Sequence, residues 1–190
     1  MGITGGGLRY QGFLGKEIAH VADALATLRI TVFRDFPFLY DGSMEYEREY
    51  LQTYINSESS FLFAVFDGEQ LVGATTCILL AHETPEVQAP FLQKGIDLNT
   101  VFYFGESILL QEYRGLGLGN LFFKERELHA RLYTPVDIVC FCAVNVLLTI
   151  RSGRPVINPL MTSGPGGDIP KKLKCRVFLN GKTGKKWRPH

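Results

Sequence analysis

The stretch Ser107–Tyr133 reads "SILLQEYRGLGLGNLFFKERELHARLY". Three glycines, Gly115, Gly117 and Gly119, fall on alternate positions just after Arg114. The run upstream, "VFYFGESILL", is mostly apolar and predicts a central strand. The run downstream predicts a helix with Leu118, Leu121, Phe122, Leu128 and Leu132 facing inward. Glycine weakens a helix interior by about 1 kcal/mol per residue, so glycines at a helix start need a reason. The first turn of a helix has N–H groups without intrahelical partners and carries the positive end of the dipole. Glycines there let an anion reach the backbone without interference from a Cβ. The turn therefore predicts a cradle for a phosphate or pyrophosphate, with Arg114 adding charge and donors.

Two phosphate-binding patterns do not fit. A P-loop needs Lys followed by Ser or Thr after its second glycine, and none follows here. A dinucleotide fingerprint needs G-x-x-G after its first pair and an acid ending the next strand, whereas Asp137 opens that strand. What remains is R-x-x-G-x-G, spelled by Arg114 to Gly119.

Outward from the turn, "LRYQGF" predicts a short first strand and "GKEIAHVADALATLRITVFRDF" a helix burying Ile18, Val21, Ala22, Leu25, Leu28, Val32 and Phe33. "MEYEREYLQTYINS" predicts a second helix with Tyr46, Tyr50, Leu51, Tyr54 and Ile55 inward. "SFLFAVFDGEQLVGATTCILL" predicts a hairpin turning at Asp67-Gly68. A polar insertion, His82–Thr100, has room for a short helix, and "VDIVCFCAV" predicts a further buried strand. In that strand Cys140 and Cys142 share a face as small core residues, and no Cys or His at ligand spacing joins them. The expected fold class is α/β, a mixed sheet with helices on both faces in the order β-α-α-β-β-β-α-β.

At this point the chain resembles the GNAT superfamily of acetyl-CoA-dependent N-acetyltransferases. Its signature, Q/R-x-x-G-x-G/A, lies between the fourth strand and the following helix, as Arg114–Gly119 does here. The element order is similar from Leu8 to Asn145, about three quarters of the chain. The resemblance implies that backbone groups of Ile108, Leu109 and Leu110 pair with the pantetheine arm of acetyl-CoA. It implies that Arg114, Gly115, Leu116, Gly117, Leu118, Gly119 and Asn120 hold the pyrophosphate. It also implies that the fourth and fifth strands splay to admit the thioester. Asn145 matches a cofactor-contacting position, although an Asn ending a strand is also a routine turn residue.

The implied reaction is attack of a neutral amine on the thioester, which needs a base and an acid. Glu106 is the candidate base. A carboxylate in an apolar strand is costly without work or a partner, and the alternative is an ordinary strand-edge Glu. The family's usual acid is a Tyr after the fifth strand, and no Tyr follows Asn145. The implied acceptor is a small-molecule or peptide amine, and a homodimer is left open. Asp35, Tyr40 and Asp41 fit either attraction of a cationic amine or ordinary turn chemistry. The rival readings are a CoA-binding protein without catalysis and, more remotely, a nucleotide-binding oxidoreductase.

Residues 146–190 differ from the rest. Up to Asn145 there are 10 Lys+Arg and 18 Asp+Glu; beyond it there are 10 Lys+Arg and one acid, Asp168. This segment holds 6 Gly and 5 Pro, with only Phe178 and Trp187 as aromatics, too few for the interleaved pattern of a nucleic-acid arm. Read in the neighbouring frame, its codons can spell an aromatic pair followed by Gly-Tyr, which resembles the missing end of the family's fold. The expectation is one domain over residues 8–145 and an out-of-frame, poorly ordered tail that fails to complete the sheet. No apolar run approaches the roughly 20 residues that span a bilayer, and the start lacks the pattern of a signal peptide. A cytoplasmic protein with neither membrane nor nucleic-acid partners is expected.

Overall fold

The computed structural model describes residues 7–35, 38–133, 135–143, 148–151, 154–157 and 174–179. Strand β1 (Arg9–Leu14) leads through a 3-10 segment, Gly15–Val21, into helix α1 (Ala22–Arg34). Helix α2 (Met44–Ile55) follows, its first turn capped by the Ser43 hydroxyl, which accepts from the Tyr46 amide at 3.3 Å. Strands β2 (Phe61–Asp67) and β3 (Gln70–Leu79) form the expected hairpin, with Gly68 at φ 58°. The insertion carries a short helix, α3 (Pro85–Leu92). Then come β4 (Val101–Leu109), α4 (Leu118–Ala130) and β5 (Ile138–Ala143), followed by β6 (Leu148–Arg151), β7 (Arg154–Ile157) and β8 (Lys174–Leu179).

The main sheet has six strands in the order β1-β2-β3-β4-β5-β8, and β6 and β7 form a separate pair. Among the described residues, only β4 and β5 run parallel, because α4 connects them as a crossover. The expected α/β architecture and element order are present. The tail expectation needs one correction. Lys174–Leu179 pairs antiparallel with β5 along Ile138–Ala143, so the tail does add a strand to the sheet. The rest of residues 146–190, β6 and β7 apart, lies outside the described residues.

Both faces of the sheet are apolar. One packs under α1 and α2 around Leu25, Leu51, Tyr54, Ile78, Tyr103 and Ile108. The other packs under α4 around Phe63, Val65, Phe102, Phe104 and Phe122. The expected inward faces hold for Tyr50, Leu51, Tyr54 and Ile55 of α2 and for Leu118, Leu121 and Phe122 of α4, with exceptions in each helix. In α2, Tyr46 is 51% exposed and Glu47 is fully buried, because Glu47 pairs with Arg29 of α1. In α4, Leu128 lies exposed, as does Leu132 just beyond its end, and the inward stripe is Leu118, Phe122, Arg126, His129 and Ala130. These are spaced four, four, three and one, a single face of the helix. Among the described residues, no helix is long and apolar enough to cross a membrane.

Candidate active site

Strands β4 and β5 part company halfway. Their parallel register runs from Val101–Ile138 to Phe104–Phe141 and stops. Beyond Phe104, among the described residues, β4 is paired only with β3, through Ser107–Thr75, Ile108–Ala74 and Leu109–Gly73. Among the described residues the sheet thus opens as a V on this side of β4. The Leu110 amide donates to the Val72 carbonyl at 3.0 Å. Antiparallel pairing alternates between hydrogen-bonded and non-bonded pairs. Leu110 and Ile108 therefore turn their backbone groups toward β3, and Leu109 and Ser107 turn theirs into the V. Of the expected pantetheine-pairing residues, Leu109 faces the opening. Ser107, not foreseen from the sequence, faces it as well.

At the top of the V the chain turns into α4. Tyr113 anchors this turn, its hydroxyl donating to Asp67 Oδ2 at 2.8 Å and its amide to the Leu110 carbonyl at 3.1 Å. Gly115 and Gly117 have φ of 82° and 79°, the left-handed region in which a side chain is strained. Among the described residues, the backbone amides of Gly115, Leu116, Gly117, Leu118 and Gly119 meet no acceptor; the next, Asn120, donates to the Gly117 carbonyl at 3.1 Å. Arg114 is exposed, and its Nη2 reaches the Leu109 carbonyl at 3.5 Å, the long limit of a hydrogen bond. Free amides, a helix N-terminus and an arginine thus converge at the mouth of the V. Asn145 lies outside the described residues.

Glu106 is aimed by a bulge. The β3–β4 register slips between Thr75 and Cys77, so Gly105 and Glu106 share the space opposite Thr76. Below the slip, Phe102 and Phe104 point to the α4 face. Above it, Glu106 and Ile108 point to the α1–α2 face. Strict alternation would keep these even-numbered residues together; the extra residue reverses them. Thr76 Oγ1 accepts from the Glu106 amide at 3.1 Å, and the Thr75 hydroxyl donates to the Glu106 carbonyl at 2.7 Å. A Cβ at 105 would press on Tyr54 Oη and lie 2.7 Å from Thr76 Oγ1, so a side chain there would displace one or both.

The Glu106 side chain meets Arg29, which also pairs with Glu47. The side chains of Arg29 and Glu106 are each 9% exposed, and that of Glu47 is fully buried. The Arg29 guanidinium lies 4.2 Å from the Tyr50 ring centroid. Burial opposes its charge, but Tyr50, Glu47 and Tyr54 outweigh that and raise its pKa. One guanidinium serves two carboxylates, and Glu47 Oε1 and Glu106 Oε1 are buried without partners. Tyr40 lies beside this group, and its hydroxyl keeps its proton more firmly than usual, through burial first and Glu47 second. Tyr54 donates to Glu83 Oε1 at 2.9 Å. Burial raises the Glu83 pKa. Glu106 therefore has the partner its position demands. Sequence reasoning missed Arg29 and Glu47, although a charge at position 29 falls among the apolar positions 25, 28, 32 and 33 of α1. A cavity of about 700 Å³ lined by Gln52, Asn56, His82 and Glu83 lies elsewhere, by the start of β2 and the end of β3.

No family model matches the chain, and no curated protein does. Solved structures do. A GNAT-family acetyltransferase from Staphylococcus aureus Mu50 is similar with a TM-score of 0.51 at 10% identity, covering 73% of this chain and 74% of that one. The loading GNATL domain of CurA from Lyngbya majuscula gives 0.49 at 16% identity, covering 72% of this chain and 65% of that one. The GNAT-like decarboxylase GphF, in complex with isobutyryl-CoA, gives 0.47 at 16% identity, covering 70% and 65%. The chain thus spans just under two thirds of those last two. The fold of this chain is that of the GNAT superfamily.

Proposed function

We propose that this protein is an acyltransferase that takes an acyl group from a CoA thioester, acetyl-CoA being the simplest, and delivers it to the primary amine of a small molecule or peptide. The observation that carries this reading is the set of five consecutive unpartnered amides, Gly115 to Gly119, at the mouth of an opened sheet. Unpaired backbone donors are stabilised by an anion at a helix N-terminus. The free edge at Ser107 and Leu109 suits a ligand that carries amides of its own, which would add to β4 as a strand adds to an edge. A pyrophosphate followed by an amide-bearing arm has both features.

The CoA thioester supplies the activated acyl group. The amides of residues 115–119 and Arg114 would hold its phosphates, and Ser107 and Leu109 would orient its arm. Glu106, turned to the α1–α2 face, would take the ammonium proton of the acceptor, with Arg29 holding its carboxylate in place. The test is calorimetric titration with CoA and acetyl-CoA, followed by thiol release over a panel of amines. Binding of both, turnover on at least one amine, and loss of turnover with retained binding in Glu106→Gln are expected. Full turnover by Glu106→Gln across pH would remove its role as base. A second reading, binding without catalysis, is favoured by the lack of any Tyr beyond Asn145 to serve as acid. Binding with no thiol release on any amine would select it.

A further inference from the structure

The inward face of α4 carries a charge that, among the described residues, no carboxylate answers. Arg126 is 6% exposed, and its Nε is buried without a partner. Its guanidinium lies 4.6 Å from the Phe104 ring centroid and 5.5 Å from that of Phe123. The ionisable groups that act on it are the Cys77 thiol and the Tyr54 phenol, and burial raises the pKa of both, so both are neutral at pH 7. Burial also holds His129, its neighbour on this face, toward the neutral form. Arg29, by contrast, is equally buried and has two carboxylates. A buried charge without a counter-charge is costly. Burial brings Arg126 down to about 10, still charged at neutral pH.

Its position gives that cost a purpose. Phe104, under the guanidinium, is the last β4 residue paired with β5. Arg126 therefore stands at the closed end of the V, on the face opposite Glu106. The free amides of Gly117–Gly119 begin the same helix, eight residues earlier at Leu118, a rise of about 12 Å. A ligand held at the mouth and running down the V brings its far end toward Arg126.

We propose that Arg126 receives a carboxylate at the far end of the acyl donor, so that the preferred donor is a CoA thioester of a dicarboxylic acid. The proposal rests on the CoA reading above and narrows its acyl group. The carboxylate is assigned to the donor because Arg126 lies on the α4 face, away from Glu106 and the amine it would serve.

The experiment is calorimetric titration of the full chain with CoA, acetyl-CoA and succinyl-CoA, repeated on Arg126→Gln and Arg126→Lys. The wild type is expected to bind succinyl-CoA at least tenfold more tightly than acetyl-CoA. That ratio should fall below threefold in Arg126→Gln and be partly kept in Arg126→Lys. Without ligand, the urea midpoint of Arg126→Gln should equal or exceed that of the wild type, since an unanswered buried charge has gone. A purely structural arginine would instead lower the midpoint and leave the ratio unchanged. Equal wild-type affinity for the two thioesters, or a preference that survives in Arg126→Gln, overturns the proposal while leaving the CoA reading intact. Binding of none of the three ligands overturns both.

Discussion

Gly119→Ala separates the roles of a glycine better than any other change in this chain. Gly119 is the second residue of α4, its φ is not positive, and a Cβ built there meets nothing within 4 Å. Nothing in the fold therefore requires glycine at this position. Replacing it with alanine removes unfolded-state entropy and improves helix propensity, together about 0.5–1 kcal/mol of added stability. In a chain of this size that raises Tm by about 1–4 °C. If an anion rests on the amides of residues 115–119, the same methyl group stands where the anion must approach. A displacement that costs one charge-assisted hydrogen bond is about 1.5–3 kcal/mol, at least tenfold in Kd. Stability and affinity are thus expected to move in opposite directions. Thermal melts and CoA titration of the same preparation check both. A variant that is more stable and binds CoA as tightly as the wild type would refute the placement of the pyrophosphate on this turn.

Arg29→Met should be among the most destabilising single changes, because it leaves Glu47 and Glu106 buried without their counter-charge. A loss of about 3–5 kcal/mol is expected, and an unchanged urea midpoint would contradict this account of the cluster. His129 is held below the ordinary imidazole range by burial, and its Nε2 donates to the Ser59 carbonyl at 3.0 Å. The stability this supplies is present above about pH 6.5 and drains away as pH falls through the folded-state value. His129→Gln should therefore flatten the acid side of a plot of urea midpoint against pH, and an unchanged slope counts against the assignment. If residues 146–190 are read out of frame, sequencing the coding DNA across codons 140–190 should reveal an extra base after codon 145, and an unbroken frame rejects that origin.

The parts of the site legible in the sequence are those fixed by local chemistry. Alternate glycines after a strand can serve only a turn into a helix, and Gly115 and Gly117 take the left-handed conformation that only glycine adopts easily. Asp67-Gly68 fixes the β2–β3 hairpin for the same reason. The direction of Glu106 was not legible. It depends on a register slip against β3, and period-2 alternation along β4 alone places Glu106 with Phe104 on the wrong face. On α4 the apolar pattern marks Leu118, Leu121 and Phe122 correctly but extends the inward face to Leu128 and Leu132, because hydropathy counts every leucine as buried. Leu128 is exposed, and Arg126 and His129 are inside, held by aromatic faces and one carbonyl. Polar side chains with long apolar stems or flat rings can fill an interior stripe, and hydropathy does not register this.

The bulge and the V are consequences of one another. A parallel partner on the far side of β4 would need regular backbone spacing beyond Phe104, and the extra residue at Gly105–Glu106 breaks that spacing where the β5 register ends. The outer edge of β5 is covered by β8 over all six residues. The gap therefore lies between two interior strands and not at a sheet edge. Unpaired backbone groups in such a place are costly unless a ligand or water satisfies them. The same slip turns Glu106 toward α1 and α2, while Phe104 stays under Arg126 on the other face. One inserted residue thus opens the sheet, exposes the Ser107 and Leu109 backbone, and places a carboxylate and an arginine on opposite sides of the opening. Deleting Gly105 should restore alternation, close the register with β5 and abolish CoA binding while leaving a folded sheet. A deletion variant that still binds CoA would show that the V does not depend on the bulge.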